Sequence, residues 1–293
     1  MPVTEFVAMS PHPFDQALQL QAVGADSPDT WCGHTSPAYW NMVGPFGGWT
    51  AAIGMQAVMQ HSARLGEPVA LTVNYASAIL EGPFTITATP VQTNRSTQHW
   101  VVSLNQVNAS GVKATAMTAT AMTALRRDTW QVNDMPMPEV PAPSTLQRAA
   151  NQRAMEWLNR YDMRFVRGAA PTQWDDSASR LTPDVLAPDS LSQLWVRDDQ
   201  VRPLDLLALT SLADVFYPRV WLRRPVRVAA GTVSMTVYFH ASSAQLADCG
   251  TGYLLCQARA QTFRHGFFDQ VAHVWSESGT LMATSTQLVY YKE

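Results

Sequence analysis

Three polar residues in the C-terminal half of this chain have types that could share one reaction, and one of them, a carboxylate, sits among apolar neighbours that make it costly. Asp214 falls near the end of RPLDLLALTSLADVFYP, where Leu204, Leu207, Ala208, Leu212 and Phe216 recur at helical spacing. An ionised carboxylate in such a helix costs several kcal/mol unless hydrogen bonds compensate it. Asp214 therefore either has a use or lies on a solvent-facing stripe near the helix end. Thr232 follows Gly231 and opens the strand TVSMTVYFH; taken alone it is an ordinary β-former. Gln287 interrupts LMATSTQLVYY, where a glutamine serves as a hydrogen-bonded structural residue at least as readily as a catalytic one. Carboxylate, hydroxyl and carboxamide are the types that can hold one water from three sides, the carboxylate taking its proton.

The elements that would position these residues occur twice. VALTVNYASA, Val69 to Ala78, leads to a stretch ending at Leu125, and TVSMTVYFHAS, Thr232 to Ser242, leads to a stretch ending at Lys292. Leu71 set against Met235 separates the copies by 164 residues, and Gly111 set against Gly279 by 168. A repeat at that distance implies a duplicated domain, since a solenoid recurs every few tens of residues. The alignment places Pro68 opposite Thr232 and Ala119 opposite Gln287, so the first copy lacks the polar groups.

In the first copy, PFGGWTAAIGMQAVMQHSARLG predicts a helix that is apolar over most of its circumference and closed by Gly66 as a C-terminal cap. Four β-rich segments follow. Prolines at 136, 138, 141 and 143 exclude helix and central strand, which predicts a linker over residues 131–145 between domains at 1–130 and 146–293. A short helix is expected over Leu146 to Leu158, then strands at YDMRFVRG and QLWVRDD, the Asp214 helix, and four more strands. The fold class is α+β: in each half one long helix wrapped by an antiparallel sheet.

The order and spacing of GPFGGWTAA, LTVNYASAILEGP, LWVRDD, LALTSLADVFYP, TVSMTVYFH and LMATSTQ resemble the double-hotdog acyl-CoA thioesterases of the bacterial type II group, over nearly the whole length. The resemblance implies two tandem hotdog domains and hydrolysis of an acyl-CoA to free acid and coenzyme A, without a cofactor. It also implies that Asp214, Thr232 and Gln287 together activate the attacking water. A covalent route through Asp214 stays open, as do two other functions: an acyl-CoA-binding protein without turnover, and a hotdog hydratase or dehydratase. Backbone N–H groups near Gly47 and Gly48 are candidate donors to the oxyanion, although close packing of helix on sheet would equally call for glycine. Trp49, Met55 and Met59 are candidates to line an acyl tunnel or simply to fill the core.

Composition excludes other classes. With a net charge of -3 the 293-residue chain has no basic field for nucleic acid. Only 15% of residues are charged, which suggests that a homo-oligomer covers part of the surface. Cys32, Cys249 and Cys256 match no disulfide or zinc spacing, which fits buried thiols in a reducing cytoplasm. No signal peptide, membrane span, HExxH or GxSxG pattern is present, so neither a membrane partner nor a metal is expected. His265 and Asp269 lie close in sequence but lack the hydratase pattern. Arg95 and Arg264, at corresponding places in the two copies, are surface cations or contacts for the phosphates of coenzyme A.

Overall fold

The computed structural model describes residues 11–107, 110–150, 155–174 and 187–292. In the first half, helix α1 spans Gly47–Gln60, and the strands are β1 (Thr30–His34), β2 (Glu67–Tyr75), β3 (Pro83–Thr93), β4 (Thr97–Val107) and β5 (Lys113–Ala124). The second half holds β6 (Tyr161–Arg167), β7 (Ser192–Asp198), helices α2 (Leu206–Leu212) and α3 (Arg219–Arg223), β8 (Ala229–Phe239), β9 (Leu254–Arg259), β10 (Phe267–Ser276) and β11 (Leu281–Lys292). These strands form one antiparallel sheet in the order β1-β3-β4-β5-β2-β8-β11-β10-β9-β7-β6, with a two-residue strand added beside β1 and another beside β10. From β1 to β7 the order is a palindrome about the β2·β8 seam. At its centre Thr72 faces Thr236, their hydroxyl oxygens 3.0 Å apart. Two tandem hotdogs thus share a continuous sheet.

Helix α1 lies against that sheet with Trp49, Ile53, Met55 and Val58 fully buried, as its nearly unbroken apolar circumference requires. It stops earlier than Gly66. His61 turns extended, and its Nδ1 accepts the Ala63 N–H while Nε2 donates to Asp29, which draws the chain out of the helix. Gly66 instead enters β2 in the left-handed region, φ +70°, where a Cβ would lie 2.2 Å from the Ala124 carbonyl oxygen.

Helix α2 is shorter than the apolar pattern suggests. Asp205 caps its start by accepting the Ala208 N–H, but the last bonds, from the N–H of Asp214 to Ser211 and of Val215 to Leu212, are the tight i to i-3 type. Pro218 disfavours helical backbone in the residue before it, and the chain leaves the helix ahead of that constraint. Asp214 accordingly sits in the turn beyond α2. The helix expected over Leu146 to Leu158 is also not formed: residues 146–150 are coil and Glu156–Arg160 is one 3-10 turn, while 151–154 lie outside the described residues. There the Ala149 N–H bonds the Met163 carbonyl of β6 in place of a helical partner.

Residues 125–142 carry no helix or strand and run across the outer sheet face. The Met135 and Pro141 carbonyls accept the indole N–H groups of Trp275 and Trp195 at 3.1 and 2.8 Å. Met137, Val140 and Leu146 cover those two rings and Leu255. All three cysteines are free; Cys256 is buried as expected, whereas Cys249 is half-buried and Cys32 exposed. Among the described residues no helix is long and apolar enough to cross a membrane.

Candidate active site

Asp214, Thr232 and Gln287 arrive from three separate elements and meet at the seam of the two halves. Gln287 Nε2 donates to Asp214 Oδ1 at 2.7 Å, and the Thr232 hydroxyl donates to Gln287 Oε1 at 3.3 Å. An ionised carboxylate only accepts, which fixes the amide with its nitrogen toward Asp214 and its oxygen toward Thr232. The other half contributes as well: the Gly48 backbone N–H, at the start of α1, faces the same carboxylate and favours its charged form.

A β-bulge brings Thr232 into this row. Met235 and Val237 of β8 point inward, so simple alternation would turn Thr232 outward. Instead Thr232 pairs with Val289 and Ser234 with Leu288, leaving Val233 as an extra residue that reverses the parity. The first half has the same irregularity at Val69, between Pro68 and Ala70.

Burial pushes the Asp214 carboxyl up to about 7 from its ordinary 3.8, against the opposing pull of the Gln287 and Gly48 donors. Gly47 lies beside the other carboxylate oxygen. A Cβ there would lie 2.7 Å from Asp214 Oδ2 and 3.5 Å from the Tyr75 hydroxyl, so the approach needs glycine. Tyr75 donates to the Gly47 carbonyl at 2.9 Å; its own pKa is raised by burial and by the neighbouring Asp214 charge, which keeps it a donor.

These groups open onto a cavity of about 400 Å³. Its floor is two sheet rows: Thr232, Val289 and Phe268 in one, Gln287 and Gln270 in the next. Phe46, Trp157, Phe216 and Trp221 wall it, Phe46 stacking on Trp157 at 4.0 Å. Trp49 does not line this space. Its indole donates to the Ala17 carbonyl and packs edge-on against Phe84 in the first-half core, because its place on the helix directs it away from the seam. Met55 and Met59 are likewise core rather than cavity residues. Arg95 and Arg264 are exposed on corresponding hairpins, away from the lining, and Asp269 is occupied by the Gln261 and Thr262 N–H groups of its hairpin. Among the described residues no group of three or more His, Cys, Asp or Glu is placed to hold a metal ion.

The register also defines the corresponding place in the first half. Met235 faces Gln287 as Leu71 faces Ala121, and Gln287 faces Gln270 as Ala121 faces Trp100. Ala121, rather than Ala119, is therefore the counterpart of Gln287; the first copy has two more residues between its hairpin glycine and this position. Trp100 fills the space, buried and hydrogen-bonded to Thr123 at 3.2 Å. Pro68, Ala121 and Trp100 stand where Thr232, Gln287 and Gln270 stand in the second half.

A model of the acyl-CoA thioesterase C-terminal domain matches residues 135–291, and a model of the acyl-CoA thioesterase N-terminal domain matches residues 36–124. The chain belongs to the acyl-CoA thioesterase family. This thioesterase is similar, at 42% identity over 97% of its length and 99% of the other chain, to a conserved hot dog protein of unknown function from Alicyclobacillus acidocaldarius, with a TM-score of 0.86. It shares its fold with a putative thioesterase II from Thermobifida fusca, at 21% identity, 96% and 97% coverage and a TM-score of 0.75. The same holds for the tesB protein of Mycobacterium avium subs paratuberculosis, at 17% identity, 96% and 98% coverage and a TM-score of 0.73. No curated protein matches the thioesterase. The family makes it a thioester hydrolase with acyl-CoA as substrate class.

Proposed function

We propose that this thioesterase hydrolyses its acyl-CoA by direct attack of a water that Asp214, Thr232 and Gln287 hold at the seam. The reading is carried by the 2.7 Å bond from Gln287 to Asp214 with Thr232 at the far end of the same amide. Asp214, as carboxylate, takes a proton while the water oxygen bonds the thioester carbonyl carbon. The negative charge that develops on the carbonyl oxygen falls to the amides at the start of α1. The Gly48 N–H faces Asp214, which leaves the N–H of Gly47, a cavity-lining residue, for the oxyanion. The tetrahedral intermediate then breaks its C–S bond, and the departing thiolate takes the proton from Asp214. The products are free acid and coenzyme A.

A pKa near 7 suits a base that must accept and return one proton in each cycle. Thiol release from a panel of acyl-CoAs tests the assignment. Asp214→Asn and Gln287→Ala should each lower kcat by roughly 10²- to 10⁴-fold. Parental turnover by Asp214→Asn on every substrate would remove Asp214 as the base.

A further inference from the structure

Gln270 is the one cavity-floor side chain whose chemistry the hydrolytic step leaves unused. It lies on β10 with an inward position in the strand's alternation, flanked by the inward Phe268 and Ala272, and only 3% of its surface is exposed. It faces Gln287 across the β10·β11 ladder. Its carboxamide has no hydrogen-bond partner among the described residues, although it can offer two donors and two acceptor sites. Other buried glutamines of this chain are fully engaged. Gln98 bonds Leu65, Ala63 and Thr93, and Gln106 bonds Leu80 and Pro83. Gln270 lines the cavity beside Phe268, Trp221 and Val289, so a bound acyl chain that displaces the cavity's solvent leaves its amide without a partner, a cost that a leucine would not carry. The first half makes that replacement in its own way, with Trp100 at the matching register position.

We infer that Gln270 is a specificity-determining residue that hydrogen-bonds a hydroxyl or oxo substituent on the acyl group, close to the thioester. The inference rests on the reading that the thioester carbonyl sits beside Asp214 and Gln287. Adjacent strands lie about 5 Å apart, so the Gln270 amide reaches the first few acyl carbons beyond that carbonyl. Phe268, Phe216, Trp221 and Val289 of the lining are apolar, and Thr50 and Tyr75 direct their hydroxyl protons to the Phe46 and Gly47 carbonyls. A substrate that brings the oxygen satisfies the amide, whereas a plain acyl chain buries it unpaired, a difference of roughly 10-fold or more in kcat/KM.

The experiment compares hexanoyl-CoA with its 2-hydroxy and 3-hydroxy derivatives on the parent, Gln270→Leu and Gln270→Met. The parent should favour at least one hydroxy derivative about 10-fold or more. Both variants should lose that preference while kcat/KM for hexanoyl-CoA holds or rises. Having two apolar variants guards against a folding failure in one. An equal preference in the parent, an unchanged ratio in the variants, or a common fall for all three substrates would overturn the inference. Calorimetric binding of the same three compounds to Asp214→Asn, with and without Gln270→Leu, separates the two readings. A ratio of Kd values that collapses on removing Gln270 supports its role even if Asp214 proves not to be the base, and a ratio that does not change refutes it.

Discussion

Replacing Asp214 with Asn should make the protein more resistant to unfolding at alkaline pH than the parent, by an amount that depends on pH in a calculable way. The carboxyl is raised from 3.8 to about 7 by burial, so between those values the folded state holds a proton that the unfolded state has released. Stability from this group is therefore fully present below about pH 4 and is lost as pH rises toward 7. A rise of that size corresponds to about 4 kcal/mol. Between pH 5 and pH 8 the loss is about 2 to 3 kcal/mol, and the Asp214→Asn protein does not share it. Asp198, which burial also raises to about 7, is present in both proteins and cancels in the difference. Urea unfolding followed by tryptophan fluorescence, at half-unit steps from pH 4 to 8, reads the gap between the two proteins. A constant offset would reflect only how the new amide fits beside Gln287 and Gly48; the slope is the test. Parallel curves across the range would refute the claim that burial keeps Asp214 protonated below neutrality.

The same raised carboxyl predicts a kcat/KM that climbs with pH through an apparent pKa near 7, since only the carboxylate can take a proton; a limb near 4 would contradict it. Gly47→Ala places a Cβ 2.7 Å from Asp214 Oδ2 and should lower kcat 10-fold or more, roughly the cost of misplacing a catalytic group by part of an ångström, while circular dichroism stays parental. Arg219 is fully buried, with its guanidinium on the Tyr217, Ser190 and Ala258 carbonyls and the Ser192 hydroxyl. Arg219→Met orphans those acceptors and should cost about 3 kcal/mol in denaturant unfolding.

The helical and strand periods of the sequence place α1 and ten of the strands, all but β1, because burial on one side of each element leaves a direct imprint on residue spacing. Of the trio only Asp214 was legible as a costly residue; Thr232 and Gln287 read as ordinary strand residues, and their meeting with it depended on the resemblance. Three features had no such imprint. The bulge at Val233 looks like any strand residue, yet it decides which way Thr232 points. The end of α2 at Leu212 is set by a proline six residues later and by the tightening turn between them, so the apolar pattern overran it. The Gly48 amide acts through its backbone, which a sequence cannot distinguish from a glycine needed for packing. Gln270 carried a faint signal, a glutamine at an inward place in FFDQVAHVW, but its lack of partners is visible only once the neighbouring strands are in register.

The palindromic strand order has a consequence for stoichiometry. Two identical halves paired through like edge strands would necessarily present two equal catalytic centres, and a change to one would be a change to both. Covalent fusion releases that constraint, and here Trp100 plugs one of the two equivalent positions while the other opens onto the cavity of the proposed reaction. A tight-binding thioether analogue of the substrate should therefore saturate at one molecule for each polypeptide, not one for each repeat.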